Sequence, residues 1–177
     1  VGGFNDIFLH DRQTGQTRLI SANSQGVLGN DNSQNPKISG NGRYIVFDSY
    51  ASNLVASDTN NEPDVFFYDI QTGEIQLLSS HEGGIGNDHS TMPSITNDGR
   101  YVMFLSNASN LLPSDTDNFT DLYVKDMQTG QLTLESLNYQ GIKIVNTVAY
   151  VGYISGDGNH IVFLSAASNV TPQRYYN

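Results

Sequence analysis

Short apolar runs separated by turn signals recur along the whole chain. Tyr44–Phe47 and Val65–Tyr68 are apolar on both faces, which is typical of strands that are covered on both sides. Gly40–Arg43 precedes the first run and Gln71–Glu74 follows the second, and both stretches favour tight turns. No segment keeps a helical period over three turns. The pattern therefore predicts an all-β protein built from short antiparallel strands.

The same order of runs and turns returns at a regular interval along the chain. The separation between Gly42 and Gly99 in the sequence equals the separation between Pro36 and Pro93. A third, more divergent copy surrounds Gly156–Asn159, and the interval divides the chain into about three units. Each complete unit contains four strands, which we letter A to D from the inside outwards. Repeated four-stranded units of this kind are the blades of a β-propeller.

The strand count predicts a single, partial propeller domain over residues 1–177. The chain begins with strands C and D, continues with two complete blades, and ends with strands A and B. The blade units cover approximately 36–80, 93–136, and 150–177 paired with 1–22. Three blades are too few to close a ring, because propellers typically have four to eight. We expect either a homodimer that completes a six-bladed ring or a fragment of a longer propeller.

The amino-acid composition of the chain excludes several kinds of binding partner and site. The chain has 18 acidic and 8 basic residues and a net charge of −10, so nucleic acid and anionic membranes would repel it. It has no cysteine, which excludes disulfides, thiolate metal sites and a cysteine nucleophile. No apolar run is long enough to span a bilayer, so we expect no membrane insertion. The first residues, Val1–Asn5, show no signal-peptide pattern.

Four motifs within one repeat carry a family resemblance. They are Pro36–Phe47, Ala51–Leu54, Asp58–Asn60 and Asp64–Gly73, and they resemble the TolB-like, WD-like repeats of bacterial β-propellers. The resemblance extends over nearly the whole chain. It implies a fold and an extracellular or periplasmic location. It implies little about function, since such repeats occur as scaffolds, as binding modules and as appendages of hydrolases.

The loops of a propeller blade divide between two faces. Because neighbouring strands alternate in direction, the B–C and D–A loops share one face, and the tight A–B and C–D turns share the other. The first set is long, polar and acidic: 57–64, 114–121, 30–33 and 87–90. We call the surface that these loops form the acidic face. Loops held by rigid strands usually carry the function, so we expect function on this face.

The B–C loops place oxygen atoms at alternate positions, as a hard cation requires. The candidate ligands are Asp58, Asn60, Glu62 and Asp64 in the first loop, and Asp115, Asp117, the backbone carbonyl of Phe119, and Asp121 in the second. Calcium takes six to eight oxygen ligands, and clustered carboxylates repel one another without a cation. We predict a Ca²⁺ site in these loops. The alternative is that the side chains bond to nearby backbone groups as Asx-turns.

The D–A loops supply a second group of candidates, for a ligand rather than a metal. They are Asn30, Asp31, Ser33, Asn87, Asp88, His89 and Ser90. These side chains either line a ligand site near the central channel or cap the chain where it enters strand A. The third repeat is not expected to bind a metal. Arg174 stands there at the position of Asp58 and Asp115, and a guanidinium opposes a cation.

The predicted function is a non-catalytic, calcium-binding propeller module that binds a protein or a glycan on the acidic face. No Gly-x-Ser-x-Gly elbow is present. A pair of carboxylates would suit glycoside chemistry, but the carboxylates here recur with the repeat and therefore fit a role in the blade. The alternatives are the propeller domain of a secreted hydrolase or lyase, and a purely structural scaffold.

Overall fold

The computed structural model describes residues 3–144 and 149–172. Within these ranges the chain forms antiparallel strands and no helix, so none of the described elements is a helix that could span a membrane. The strands are β1 (Phe8–His10), β2 (Thr17–Leu19), β3 (Ser33–Ile38), β4 (Tyr44–Ser49), β5 (Asp64–Asp69), β6 (Ile75–Leu77), β7 (Ser80–His81), β8 (Gly84–Ile85), β9 (Ser90–Ile95), β10 (Tyr101–Ser106), β11 (Asp121–Asp126), β12 (Leu132–Leu134), β13 (Ala149–Ile154) and β14 (Ile161–Ser165).

Two four-stranded sheets form the centre of the molecule. Their strand orders are β3-β4-β5-β6 and β9-β10-β11-β12, and we call them the first and second blades. The two-stranded sheets β1-β2 and β13-β14 flank them, and we call these the N-terminal and C-terminal half-blades. The predicted order C–D, A–B–C–D, A–B–C–D, A–B is therefore confirmed. The two half-blades are separate sheets in the described part of the chain.

The D–A connection after each blade contains a small hairpin that the sequence did not predict. In the first blade Ser80 pairs with Ile85, as strands β7 and β8. After the second blade an isolated bridge between Leu137 and Lys143 repeats this pairing. Such short strands leave no periodic signal, which explains why the sequence predicted a loop there. Ile85 and Lys143 consequently occupy equivalent positions beside the B–C loops of their blades.

The apolar core lies in layers between neighbouring sheets. Side chains of the first and second blades interdigitate in a cluster that includes Val46, Phe67, Val102, Phe104 and Tyr123. A second cluster packs the N-terminal half-blade on the first blade, and a third packs the C-terminal half-blade on the second. Because strands β4, β5, β10 and β11 contact apolar neighbours on both faces, they are buried almost throughout. Two-sided burial explains their continuous apolar runs.

The A–B turns add a contact between blades through their glycines. Gly99 lies directly on the ring of Tyr44, and a Cβ at this position would collide with that ring. Gly42 is the equivalent glycine one blade earlier, and no other atom lies within 4 Å of a Cβ placed there. Both residues have positive φ, 79° for Gly99 and 71° for Gly42, so a side chain strains the backbone equally at the two positions.

This difference gives a matched pair of substitutions. Gly42→Ala is expected to cost about 1 kcal/mol, the cost of a left-handed alanine. Gly99→Ala adds the collision with Tyr44 and is expected to cost about 2 kcal/mol more, as overpacking does. Urea unfolding of the two variants measures the difference. Equal losses of stability would mean that the turn-to-ring contact contributes nothing to blade packing.

Candidate metal centre and the acidic face

The structure brings the B–C and D–A loops together on one face. Asn30 donates from Nδ2 to Ser52 Oγ at 3.1 Å, which ties the D–A loop before the first blade to the Ala-Ser-Asn turn that follows strand β4. Asn60 donates from Nδ2 to the carbonyl oxygen of Gly86 at 2.8 Å, which ties the first B–C loop to the next D–A loop. These bonds hold the two sets of loops together as the acidic face, which the alternating directions of the strands predicted.

The first B–C loop buries two carboxylates that lack a cation among the described residues. Asp64 is fully buried and Asp58 is 6% exposed. Ser79 Oγ donates to Asp64 Oδ1 at 2.5 Å, but Asp64 Oδ2 and Asp58 Oδ1 are buried with no hydrogen-bond partner in the described chain. Burial, together with the nearby charge of Asp58, raises the pKa of Asp64 to about 7. Unpaired buried carboxylates of this kind are costly.

The other two candidate ligands of the first loop have different environments. Asn60 Oδ1 accepts a hydrogen bond from the backbone N–H of Glu62 at 2.9 Å, which is the Asx-turn that the alternative interpretation requires. Glu62 is exposed, and its carboxylate forms a group with Asp88 and His89 whose ligand atoms all lie within 4.8 Å of one another. Asn60 therefore shapes the loop, while Glu62 lies at its rim.

The second B–C loop is neutralised by a lysine from the D–A connection after its blade. Lys143 Nζ contacts the carboxylate of Asp115 and lies 2.9 Å from Asp121 Oδ2 and 3.1 Å from Asp117 Oδ2. Burial alone would lower the pKa of this lysine, but its hydrogen bonds to the three carboxylates, Asp115 foremost, raise it above the usual value. The ammonium is thus held in its charged form among the carboxylates that the sequence assigned to a metal.

A tyrosine supplies a further donor in the second loop. Tyr123 Oη donates to Asp115 Oδ2, and Ser136 Oγ donates to Asp121 Oδ1 at 2.5 Å. Burial, the hydrogen bond to Asp115 and the nearby acidic charges raise the pKa of Tyr123 above its ordinary value, so the hydroxyl keeps its proton. Phe119, the predicted carbonyl ligand, donates its backbone N–H to Asp117 Oδ1 at 3.1 Å.

The two loops thus present the same carboxylates with different partners. The residues at the positions of Tyr123 and Lys143 in the first blade are Phe66 and Ile85, which carry no donor on the side chain. Asp58 Oδ1 and Asp64 Oδ2 in the first loop consequently have no hydrogen-bond donor among the described residues. In the second loop the ammonium group of Lys143 occupies the position predicted for the metal ion, so an ion would have to displace it. Arg174, the residue from which we predicted that the third repeat binds no metal, lies outside the described residues.

Most of the predicted ligand-face residues make hydrogen bonds within the chain. Asn30 and Asn87 each bond to the Ala-Ser-Asn turn of the following blade, and Ser33 and Ser90 are buried against serines of the neighbouring strand. These four cap the entry to strand A. Asp31 and Asp88 also accept hydrogen bonds, from the backbone N–H of Asn32 at 2.6 Å and of His89 at 2.7 Å, and His89 Nδ1 lies 2.8 Å from Asp88 Oδ1.

Two buried groups have roles that sequence reasoning missed. Lys143 could have been singled out, because it is a basic residue where the preceding repeats carry Leu28 and Ile85. Asp48 is fully buried near the end of strand β4 and accepts hydrogen bonds from Asn35 Nδ2 at 2.9 Å and Met92 N at 3.1 Å. Burial raises its pKa. It joins the bulged inner strands of the two blades.

An open groove of about 840 Å³ lies next to the second B–C loop. Its lining includes Lys125, whose pKa is lowered by burial, and the polar side chains of His81 and Asn110. Asn110 Nδ2 lies 3.3 Å from His81 Nε2. Volumes of this order are typical of sites for small molecules. The groove could therefore hold a polar ligand beside the acidic face.

Comparisons with known proteins agree on the architecture. TolB from Acinetobacter baumannii is 21% identical, and the match covers 92% of this chain and 32% of TolB with a TM-score of 0.55. The tricorn protease is 17% identical over 89% of this chain and 13% of its own, with a TM-score of 0.52. A prolyl endopeptidase is 16% identical over 89% of this chain and 22% of its own, with a TM-score of 0.53.

The level of identity limits what these matches show. No model of a known protein family matches the chain, and no curated protein matches it either. The chain spans about a third of the length of the TolB that it matches. Likeness at this low level of identity establishes a fold and no activity. The chain has a TolB-like β-propeller fold, as the resemblance of its repeats implied.

Proposed function

We propose that this chain is a non-catalytic propeller module that binds one Ca²⁺ ion in its first B–C loop. The observation that carries the proposal is the pair of buried, unpartnered oxygens, Asp58 Oδ1 and Asp64 Oδ2. The equivalent carboxylates in the second blade are neutralised by Lys143. We infer that a cation takes the equivalent place in the first loop, whose own residues 57–64 include no basic side chain.

Calcium fits this loop better than the other common hard cation. It accepts six to eight oxygen ligands in irregular geometry, whereas Mg²⁺ requires a near-ideal octahedron and gives up its water reluctantly. Two carboxylates, backbone carbonyls and water would complete such a coordination shell. Extracellular modules bind calcium at about 10⁻⁴ to 10⁻³ M, so the proposal is consistent with an extracellular or periplasmic location.

Calcium is expected to raise the melting temperature of the protein. With calcium at about 100 times the dissociation constant, the gain is about 2.7 kcal/mol, or roughly 5–10 °C for a chain of this size. Titration calorimetry is expected to show one ion per chain. Asp58→Asn and Asp64→Asn should abolish both effects, whereas Asp157→Asn, an exposed carboxylate in an A–B turn on the opposite face, should leave them unchanged.

The same measurements distinguish a bound calcium ion from a proton shared by Asp58 and Asp64. If Asp58 and Asp64 satisfy each other by holding one proton between them, millimolar calcium will not shift the melting temperature at neutral pH. Magnesium in place of calcium gives the control for a general ionic effect. Calcium binding that persists in Asp58→Asn would show that the ion lies outside the first loop.

We further propose that the acidic face binds a protein or a glycan. The groove beside the second B–C loop and the half-exposed Asp88–His89 pair support this, because both present polar groups on a surface that rigid blades hold in place. A screen of immobilised glycans with the wild-type protein tests it. Lys125→Ala, a change in the groove, should remove any binding found there while the calcium-dependent melting temperature is preserved.

The propeller domain of a larger hydrolase is a second candidate. The tricorn protease and a prolyl endopeptidase contain a segment of this fold, and that segment makes up a small share of each chain. A catalytic domain encoded in the same reading frame would favour this candidate. A reading frame that holds blades alone would favour the binding module.

A further inference from the structure

The groove of about 840 Å³ beside the second B–C loop lies between the outer parts of the two complete blades. One wall is the hairpin β7-β8 that follows the first blade. The second blade forms the other wall, with residues 109–113 after strand β10 and residues 130–132 at the C–D turn. Leu111, Leu112 and Leu132 give the groove an apolar part. The groove therefore extends along the blade, from the acidic face towards the opposite face.

Lys125 is a basic residue in this groove that forms no salt bridge among the described residues. It follows Tyr123 by two positions on β11, so its side chain lies on the face that packs towards the first blade. Arg43, Arg100 and Lys143, by contrast, each pair with aspartates. Lys125 is half-buried, and burial lowers its pKa. A partly desolvated ammonium without a counter-charge is costly, so it suits an anionic group that enters the groove.

Two residues that line the groove differ in charge from their equivalents in the first blade. Lys125 stands at the position of Tyr68, and Gln131 stands at the position of Glu74. The second blade thus carries a cation where the first carries a phenol, and an amide where the first carries a carboxylate. Both differences make this groove more positive than the equivalent surface of the first blade, although the chain as a whole is strongly acidic.

The two acidic residues that line the groove leave the charge of Lys125 available. The carboxylate of Asp115 is buried and already contacts Lys143 and Tyr123. Glu82 is exposed between the two short strands of the hairpin β7-β8, where water and salt screen its charge. The ammonium of Lys125 is therefore the charged group that a ligand inside the groove would meet.

The size and the remaining lining of the groove favour a small polar ligand over a protein partner. Cavities of about 300–1,000 Å³ hold small molecules, whereas a folded protein usually buries a broad surface of about 800 Å² on each side. Thr116 and Gln131 line the groove with side chains that make no hydrogen bond among the described residues. These groups can bind hydroxyls, and the leucines can pack on the apolar face of a sugar ring.

We propose that this groove binds a sugar acid, whose carboxylate contacts the ammonium of Lys125 while its ring lies against the leucines. The inference rests on the glycan binding proposed above and names the class of glycan. One ammonium matches one carboxylate, and the net charge of −10 repels ligands that carry many negative charges. The ligand is therefore a glycan with a single acidic unit rather than a polyanion.

A matched pair of ligands tests the role of the carboxylate. Methyl β-D-glucuronide and methyl β-D-glucoside differ only in the carboxylate that replaces a hydroxymethyl group, and NMR titration measures the affinity of each. We expect the glucuronide to bind about tenfold more tightly, as a charge-assisted hydrogen bond allows. Lys125→Gln should abolish this preference, whereas Lys37→Gln, a change of an exposed lysine on β3, should preserve it. A preference that survives in Lys125→Gln would overturn the proposal.

A second variant tests the charge of the groove without touching Lys125. Gln131→Glu introduces the acid that the first blade carries, and it should weaken the glucuronide but not the glucoside. An unchanged melting temperature in each variant shows that the fold is intact.

The remaining outcomes separate this inference from the glycan binding on which it rests. If the two glycosides bind equally, glycan binding stands and the sugar-acid inference is overturned. If neither binds, both fail. N-acetylglycine supplies a carboxylate without a sugar ring, and binding as tight as that of the glucuronide would overturn the sugar class.

Discussion

Lys143→Ile is expected to destabilise the protein by about 3–5 kcal/mol in calcium-free buffer, the usual cost of removing one partner from a buried ion pair. The change leaves Asp115 and Asp121, both almost fully buried, without the ammonium that neutralises them. Isoleucine is the residue that the first blade carries at this place, Ile85, so the new side chain suits the local hairpin. Urea unfolding with and without calcium measures the loss.

Calcium should restore part of the stability of Lys143→Ile, because the variant loop then resembles the first one. The control is Lys125→Met, which removes a half-buried lysine from the same blade and is expected to change stability by less than about 1 kcal/mol. The reciprocal variant, Ile85→Lys, should supply a charge to the first loop and suppress calcium binding. A loss below about 1 kcal/mol in Lys143→Ile would show that the ion pairs add no net stability.

In calcium-free buffer, wild-type protein is expected to lose stability as the pH rises from 5 to 8. The folded pKa of Asp64, about 7, lies above the ordinary value of 3.8. The folded state therefore keeps a proton that the unfolded state releases, and this contribution disappears as the pH passes through the folded pKa. At about 1.36 kcal/mol for each unit of pKa, the full effect between the unfolded pKa of 3.8 and the folded pKa of about 7 is about 4 kcal/mol, of which roughly 3 kcal/mol falls between pH 5 and 8.

Other carboxylates change the size of this effect but not its sign. Burial raises the pKa of Asp48 and of Asp121, which adds to the loss of stability with rising pH. Arg100 lowers the pKa of Asp126 to about 2, so that group titrates below the window. Urea unfolding at four pH values is the measurement. Asp64→Asn and saturating calcium should each flatten the profile, and a flat wild-type profile without calcium would contradict the burial of an unpaired carboxylate.

The repeat made the architecture predictable because each strand faces two apolar layers. Tyr44–Phe47 has the pattern of a strand covered on both sides, and the neighbouring sheets cover it in that way. The turn around Gly42 and the Asx-turn at Asn60 are local, so their own residues indicate them. The hairpin β7-β8 was missed, since such short strands have no period to detect.

The candidate site was less predictable because its chemistry depends on contacts distant in sequence. Asp58 and Asp115 look alike along the chain, yet only the second is neutralised by a lysine, which comes from a hairpin beyond the end of the blade. The hairpin that positions Lys143 was not foreseen, so neither was its contact. The role of Asp48 was not foreseen either, because its partners Asn35 and Met92 come from two different blades.

Lys143, which reaches the second loop from the hairpin after its blade, also bears on how the molecule responds when the proposed calcium ion is withdrawn. Lys143 and Asp121 belong to the same chain, so the charge of the lysine is available at a fixed effective concentration whatever the surrounding solution contains. An ion in the first loop must be captured from outside. The second blade is then expected to stay closed at every calcium level, and opening begins at 58–64 as a local event. Calcium would therefore act first on the lifetime of one loop, and its gain in global stability would come through that loop.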